Sequence, residues 1–265
     1  MPNEDRTIRA INAAIEQEGL PWTAGPTTLS SLPEEEQRKY LGLVVDDAEM
    51  QRLTAETRRL ASLEPAMLGS RAFGAPAKID WRANGGNYVT SVKNQGGCGS
   101  CVSFCSCAVI ESAIRIKLQN PNHNIDLSEG FLQFCGGGSC GGWGLTSGLD
   151  YAKSTGVVDE ACMPYTAGGG SDMNCNTARC SDWQNRLTKI ASYSNHSTME
   201  ARKNAVAAGP VLAGMEVWSD FFSYASGVYV KSSAATRLNP PGYHCVCVVG
   251  YDDSQQCWII KNSWG

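Results

Sequence analysis

Histidine is scarce in this chain: three residues among 265, at positions 123, 196 and 244. Only three side chains can therefore act as an unperturbed imidazole base near neutral pH. No basic run or basic–aromatic cluster marks a nucleic-acid surface, and no apolar stretch is long enough to span a membrane. The N-terminus, Met1-Pro2-Asn3-Glu4-Asp5-Arg6, lacks the charged-then-apolar layout of a signal peptide. No repeat with a period of 20–50 residues, the mark of a solenoid or propeller, is present. Cysteine is absent from residues 1–97, yet twelve cysteines crowd residues 98–180 and 245–257. That density predicts a disulfide-bearing body made for an oxidising, extracytoplasmic compartment (secreted, or lysosome- or vacuole-like), despite the missing signal layout.

The formal charge of −4 is unevenly placed. Residues 1–74 hold 12 acidic and 8 basic side chains, whereas residues 75–265 hold 14 of each. In residues 1–63, Ile8, Ile11 and Ile15 fall at helical spacing, and Asp46 to Leu63 reads as a second, charged amphipathic helix. Glu64 to Pro76 is broken by Pro and Gly and reads as a linker, which places a domain boundary near residues 70–76. Beyond it, residues 98 to about 190 read as helical with Gly-rich loops: 101–119, a short helix from Ser128, and 144–154. From about 205 to 265 the β-rich runs Val211 to Trp218, Gly227 to Val230, His244 to Tyr251 and Cys257 to Asn262 dominate. Helices first and strands later predict an α+β chain folded as two lobes.

Two local patterns carry chemistry. In Gln95-Gly96-Gly97-Cys98-Gly99-Ser100-Cys101, Ser100 is a good N-cap and Cys101 opens an apolar helical run stopped by Asn120-Pro121. A thiol in a first helical turn faces free backbone N–H groups and the positive end of the macrodipole, both of which favour thiolate. His123 and His196 sit in polar loops, but His244 begins a strand. A hairpin centred near residue 253 would set His244 opposite Asn262, whose amide oxygen can accept a ring N–H and fix the tautomer.

Lys93 to Cys101, Tyr243-His244 before a Val-rich strand, and Lys261-Asn262-Ser263-Trp264-Gly265 together resemble the active-site motifs of the papain-like cysteine peptidases. The likeness runs from Ala75-Pro76-Ala77-Lys78-Ile79-Asp80-Trp81-Arg82, similar to a mature N-terminus, to the last residue. The 143-residue gap from Cys101 to His244 lies within the span of about 130–150 typical of papain and cathepsins. The resemblance implies a two-lobed α+β fold, helical over about 98–190 and β-rich over about 205–265, preceded by a helical pro-segment and linker over 1–74. It implies Cys101 as nucleophile, His244 as its partner in a thiolate–imidazolium pair, Asn262 as the imidazole's orienter and Gln95 as an oxyanion donor. Substrate contacts are expected from Gly142, Trp143, Gly214, Tyr243 and Cys245, with Trp264 shielding the His244–Asn262 bond. Hydrolysis of protein or peptide substrates by a monomeric endopeptidase made as a zymogen follows, with the pro-segment as intramolecular inhibitor released by a cut near Phe73-Gly74-Ala75. The alternative is a catalytically impaired papain-like binding module.

The chain departs from the family pattern at three places. Val102 stands where Trp usually follows the nucleophile, Cys140-Gly141-Gly142-Trp143 is one residue shorter than the usual glycine-pair segment, and the chain stops where relatives continue through further strands. Cys98-x-x-Cys101 could be half a zinc or redox site, but no second such pair exists, and neither metal nor cofactor is expected. By similarity Cys98 pairs with Cys140. The segment around Cys162, Cys175 and Cys180 resembles the cathepsin C arrangement, implying Cys135–Cys175 and Cys162–Cys180, although sequence alone allows the swapped connectivity. Cys105, Cys107, Cys245, Cys247 and Cys257 lie in apolar runs and read as buried free thiols.

Overall fold

The computed structural model describes residues 2–45, Ala55 and 74–265. The expected helix over 46–63 and most of the linker lie outside the described residues. The first helix, α1 (Pro2–Glu18), buries Ile8, Ile11 and Ile15 against Trp22, Ala24, Tyr224 and Tyr229. It ends at Gly19, which takes φ +64°, while Leu20 N–H donates back to the Ile15 carbonyl at 2.9 Å, a left-handed stop that glycine favours. Strand β1 (Trp22–Ala24) then pairs antiparallel with β6 (Tyr224–Gly227) of the distant body. That pairing explains why the strand expected over 227–230 lies at 224–227 instead. At Gly227 (φ +97°) the chain crosses Pro21 so closely that a Cβ would meet its carbonyl oxygen at 2.4 Å. A short helix, α2 (Glu34–Arg38), leads into β2 (Leu43–Val44).

Helix α3 (Cys101–Lys117) is buried from Cys101 through Cys107 on every side. It lies between two apolar clusters, which is why its first ten residues, Cys101 to Ile110, carry no charge. One cluster joins it to the π-helical turn Phe131–Cys135 and to α4 (Ser147–Ser154). The other joins it to β7 (Arg237–Asp252). Strand β7 is the spine of the β lobe. It pairs antiparallel with β5 (Val211–Trp218), β3 (Lys78–Asp80) and β8 (Cys257–Lys261), while β2 pairs parallel with β4 (Trp143–Gly144).

A four-residue helix, α5 (Cys175–Ala178), follows, and then a second helix that the sequence pattern did not mark, α6 (Met199–Ala208). The Thr198 hydroxyl accepts the Ala201 N–H at 3.1 Å and starts it, yet only Val206 is buried, so no apolar stripe announces the helix.

Bridges join Cys98 to Cys140, Cys135 to Cys175 and Cys162 to Cys180. A fourth corrects the expectation of free thiols at two positions: Cys105 is bonded to Cys245. Cys107 and Cys247 are free and buried, and Cys257 is free and half-buried.

Candidate active site

Cys101 is the first residue of α3 and has no exposed surface. Ser100 does not cap the helix with its side chain, contrary to expectation. Its hydroxyl instead pairs with the Tyr165 hydroxyl at 2.8 Å, and its carbonyl accepts the Ser103 N–H at 2.9 Å. The Cys101 sulfur accepts the Cys245 N–H at 3.4 Å, which places it against β7 one residue beyond His244.

His244 is fully buried, and its Nε2 lies 2.7 Å from Asn262 Oδ1. The contact forms although the hairpin is not centred where the sequence suggested. Asp252 faces Cys257 and Tyr251 faces Trp258, across a four-residue turn rather than one centred on 253. A bulge between Val248 and Gly250 then shifts the register by one, so Cys247 faces Lys261. Continued, that register sets residue 264 opposite His244, and Asn262 reaches the ring diagonally, a distance long side chains span. Trp264 packs beside the imidazole with ring centroids 4.7 Å apart and stacks on Phe222 at 5.6 Å. The Asn262 oxygen also accepts the Ser263 N–H at 2.8 Å, which holds the amide.

Gln95 is completely buried and fully engaged. Its Oε1 accepts from the Ser263 hydroxyl at 2.6 Å, and its Nε2 donates to the Cys98 carbonyl at 2.8 Å and the Tyr40 carbonyl at 3.1 Å. The last contact is to the N-terminal segment, which runs directly through the site. Gly42 passes so close to the Cys101 loop that a Cβ on it would lie 1.8 Å from the Gly99 carbonyl oxygen. The Gly42 carbonyl accepts the Trp143 N–H at 2.8 Å, and Leu43 and Val44 pair with Trp143 and Gly144. Gly142, at φ +119°, tolerates this approach only because it has no side chain.

Leu43 is buried against the residues expected to bind substrate. A Cβ on Gly214 would meet its Cδ2 at 2.6 Å, and Trp143, Tyr243 and Leu145 pack around the same cluster. Cys245, expected as a free pocket wall, is buried and bonded to Cys105; it faces Gly214 across the β5–β7 ladder.

Burial sets the charge state of the pair. It pushes the Cys101 thiol up to about 11, against backbone N–H donors from Cys245, Gly42 and Val102 that favour thiolate. It lowers the His244 imidazole to about 4, although Asn262 and the Tyr40 carbonyl favour the protonated ring. With the N-terminal segment in place, burial thus disfavours the charged form of both groups.

A buried charge cluster behind the site was missed from the sequence. Lys93 Nζ contacts both Glu129 oxygens at 2.8 and 2.9 Å and lies 3.9 Å from Glu111. Thr90 bridges Glu111 of α3 to Lys261 of β8, donating to the first at 2.5 Å and accepting from the second at 2.9 Å. Burial raises the Glu129 carboxyl to about 8, the Lys93 charge opposing it. The available signal was position: Lys93 and Lys261 directly flank the Asn-Gln and Asn-Ser motif residues. Among the described residues no group of three or more His, Cys, Asp or Glu could hold a metal ion. Nor is any helix among them long and apolar enough to cross a membrane.

Residues 75–265 match the profile described as papain family cysteine protease. Cysteine proteinase 1 of Entamoeba histolytica is 35% identical over 204 residues, covering 72% of this chain and 60% of that protein. Cathepsin S of Rattus norvegicus is 36% identical over 203 residues, covering 72% of this chain and 57% of that protein. The chain thus spans 60% or less of the length of these relatives. The digestive procathepsin L2 proteinase from Tenebrio molitor larval midgut superposes with TM-score 0.72 at 26% identity, over 100% of this chain and 81% of that one. A recombinant stem bromelain precursor superposes with TM-score 0.66 at 26% identity, over 99% and 78% respectively.

Proposed function

The chain belongs to the papain family of cysteine proteases, and from that premise we propose that it is a cysteine endopeptidase held in zymogen form by its own N-terminal segment. The observation that carries the reading is the Tyr40 carbonyl against Gln95 Nε2 while Gly42 crosses Cys101: a peptide backbone already occupies the place of a substrate.

Once residues 1 to about 74 depart, water enters and the neutral pair can charge. His244 takes the Cys101 proton, Asn262 Oδ1 holding the ring through its Nε2–H. The thiolate attacks a peptide carbonyl. Gln95 Nε2 and the Cys101 N–H receive the oxyanion, His244 protonates the leaving amine, and water hydrolyses the acyl-enzyme. Substituting Gln95→Ala should lower kcat/KM about 10²- to 10³-fold, the loss typical of one oxyanion donor, with Cys101 still alkylated at the wild-type rate.

Leu43 beside Gly214, Tyr243 and Trp143 supports a subsite for an apolar, Leu-sized side chain two residues before the scissile bond. The segment runs parallel to Trp143–Gly144. We assign the protein to an extracytoplasmic setting on its four bridges, with protein or peptide substrates and a monomeric state.

Strong acid should weaken one contact of the segment. The Glu18 carboxylate accepts from both the N–H and the hydroxyl of Ser233 on the body, and these bonds lower its pKa below the ordinary value. A depressed carboxylate contributes docking above its unperturbed range and loses it as pH falls through its lowered pKa. Glu18→Gln should modestly raise processing at pH 6–7, and the gap from wild type should close only as pH falls below the ordinary carboxylate range, as gel-resolved time courses would show. The function itself is tested by incubating the full chain with reductant at mildly acidic pH. Wild type should lose residues 1 to about 74, and Cys101→Ser should not; equal processing in both would refute the reading.

A further inference from the structure

Cys105 stands one helical turn after Cys101, and Cys245 directly follows His244. Their sulfurs are bonded, with Cα atoms 6.2 Å apart across 140 residues of sequence. The thiol and the imidazole are therefore joined by a covalent path of one helical turn, one disulfide and one strand residue. The other three bridges lie within residues 98–180. Among the described residues, this is the bridge that ties the helix of one lobe to the strand of the other.

Thiol and imidazole come from different lobes, so their separation depends on how α3 sits on β7. Beside the bridge the cluster has the small side chains Val102, Ala108, Cys247 and Val249, with Trp81, Leu43 and Ile116 in the same cluster. A cavity of about 10 Å³ lies beside the bridge, lined also by Lys93, Glu129, Lys261 and Asn262. Dispersion contacts in that cluster hold the surfaces together but are non-directional, so they do not by themselves fix one register of the helix on the strand. The bridge adds a covalent, directional link to that packing, and it also holds the Cys245 N–H that donates to the Cys101 sulfur at 3.4 Å.

We propose that the Cys105–Cys245 disulfide is a positioning element of the catalytic pair, setting the approach of Cys101 to His244 and the donation of the Cys245 N–H to the thiolate. The proposal rests on the reading of Cys101 and His244 as nucleophile and base. It gives activity two opposed redox demands: Cys101 reduced, and Cys105 with Cys245 oxidised. A dithiol that opens the bridge gives two electrons and two protons to its sulfurs and is itself closed to a cyclic disulfide.

The test compares processed wild type with the Cys105→Ala/Cys245→Ala double variant. The variant should unfold cooperatively, keep KM within about twofold, and lose kcat about 10- to 100-fold, the scale of a small misplacement of reacting groups. The acid limb of its kcat/KM profile should move to higher pH, because the thiolate loses a donor and its close imidazolium. Should the variant not fold, wild type opened stepwise by a dithiol gives the same reading. Turnover per titrated active site should fall as Cys105 and Cys245 become alkylatable, and return on reoxidation. Unchanged kcat and acid limb in the folded variant, or constant turnover per site as the bridge opens, would overturn the proposal. So would peptide mapping that finds both cysteines free in fully active wild type. A wild type with the bridge intact but no hydrolysis would instead remove the nucleophile assignment, and the proposal with it.

Discussion

Changing His244 to alanine should abolish turnover, by roughly 10⁴-fold or more in kcat, with little change in KM. The argument begins with the thiol. An ordinary cysteine has a pKa of about 8.5 and is only a few per cent thiolate at pH 7. The helix start and the Cys245 N–H favour the anion, yet burial outweighs them and holds the group near 11 in the full chain. A neighbouring imidazolium is the remaining source of positive charge at the sulfur, and the remaining donor for the leaving amine. One substitution removes both. Cys101→Ser should match it, because a hydroxyl beside the same base is a far weaker nucleophile in a site shaped for sulfur. The two losses should not add, since the residues act as one unit. The measurement is initial rates on a fluorogenic peptide with an apolar residue two before the cleaved bond. The variants are freed of residues 1–74 by an added peptidase, because they cannot process themselves.

The full chain should also be nearly inert to thiol reagents, and removal of the N-terminal segment should accelerate alkylation of Cys101 about 10³-fold or more at pH 7. With the segment in place Cys101 has no exposed surface, and a thiol held near 11 is about 10⁻⁴ ionised at pH 7. The imidazole, lowered to about 4, is neutral at the same pH. Burial is the largest cause of both shifts, and Tyr40 to Leu43 contribute part of it, so both should relax toward ordinary values when those residues leave. Iodoacetamide labelling followed by peptide mapping reads this at one residue. Gly42→Val offers a graded check. A side chain there cannot fit against the Gly99 carbonyl, 1.8 Å from the position of a Cβ, so the segment must lift and the intact chain should react faster than wild type.

The site was largely legible in the sequence because its parts lie in short local motifs. Cys101 is marked by what surrounds a helix start, and Gln95 lies six residues earlier in the same loop. His244 and Asn262 share a hairpin, and their contact survived an error in its centre because a diagonal neighbour is still within reach of an amide. What was not legible depends on distance along the chain. Nothing in the apolar runs holding Cys105 and Cys245 distinguishes a bonded pair from two buried thiols, and 140 residues separate them. Their offsets from Cys101 and His244 were the only sign. The path of the N-terminal segment was equally hidden. A glycine between Leu41 and Leu43 gives no sign that its carbonyl will meet Trp143. The Glu111–Lys93–Glu129 cluster escaped for a related reason: charged residues within helical or loop sequence read as solvated until the fold buries them.

The central claim is that Cys101 is a nucleophile activated by His244 and masked by the chain's own N-terminal segment. Labelling with an epoxysuccinyl peptide, read by intact mass and peptide mapping before and after removal of residues 1 to about 74, tests it most directly. The account predicts no label on the full chain, one label per chain at Cys101 afterwards, and none in His244→Ala. Equal labelling before and after removal, or labelling of Cys101 unaffected by loss of His244, would contradict it.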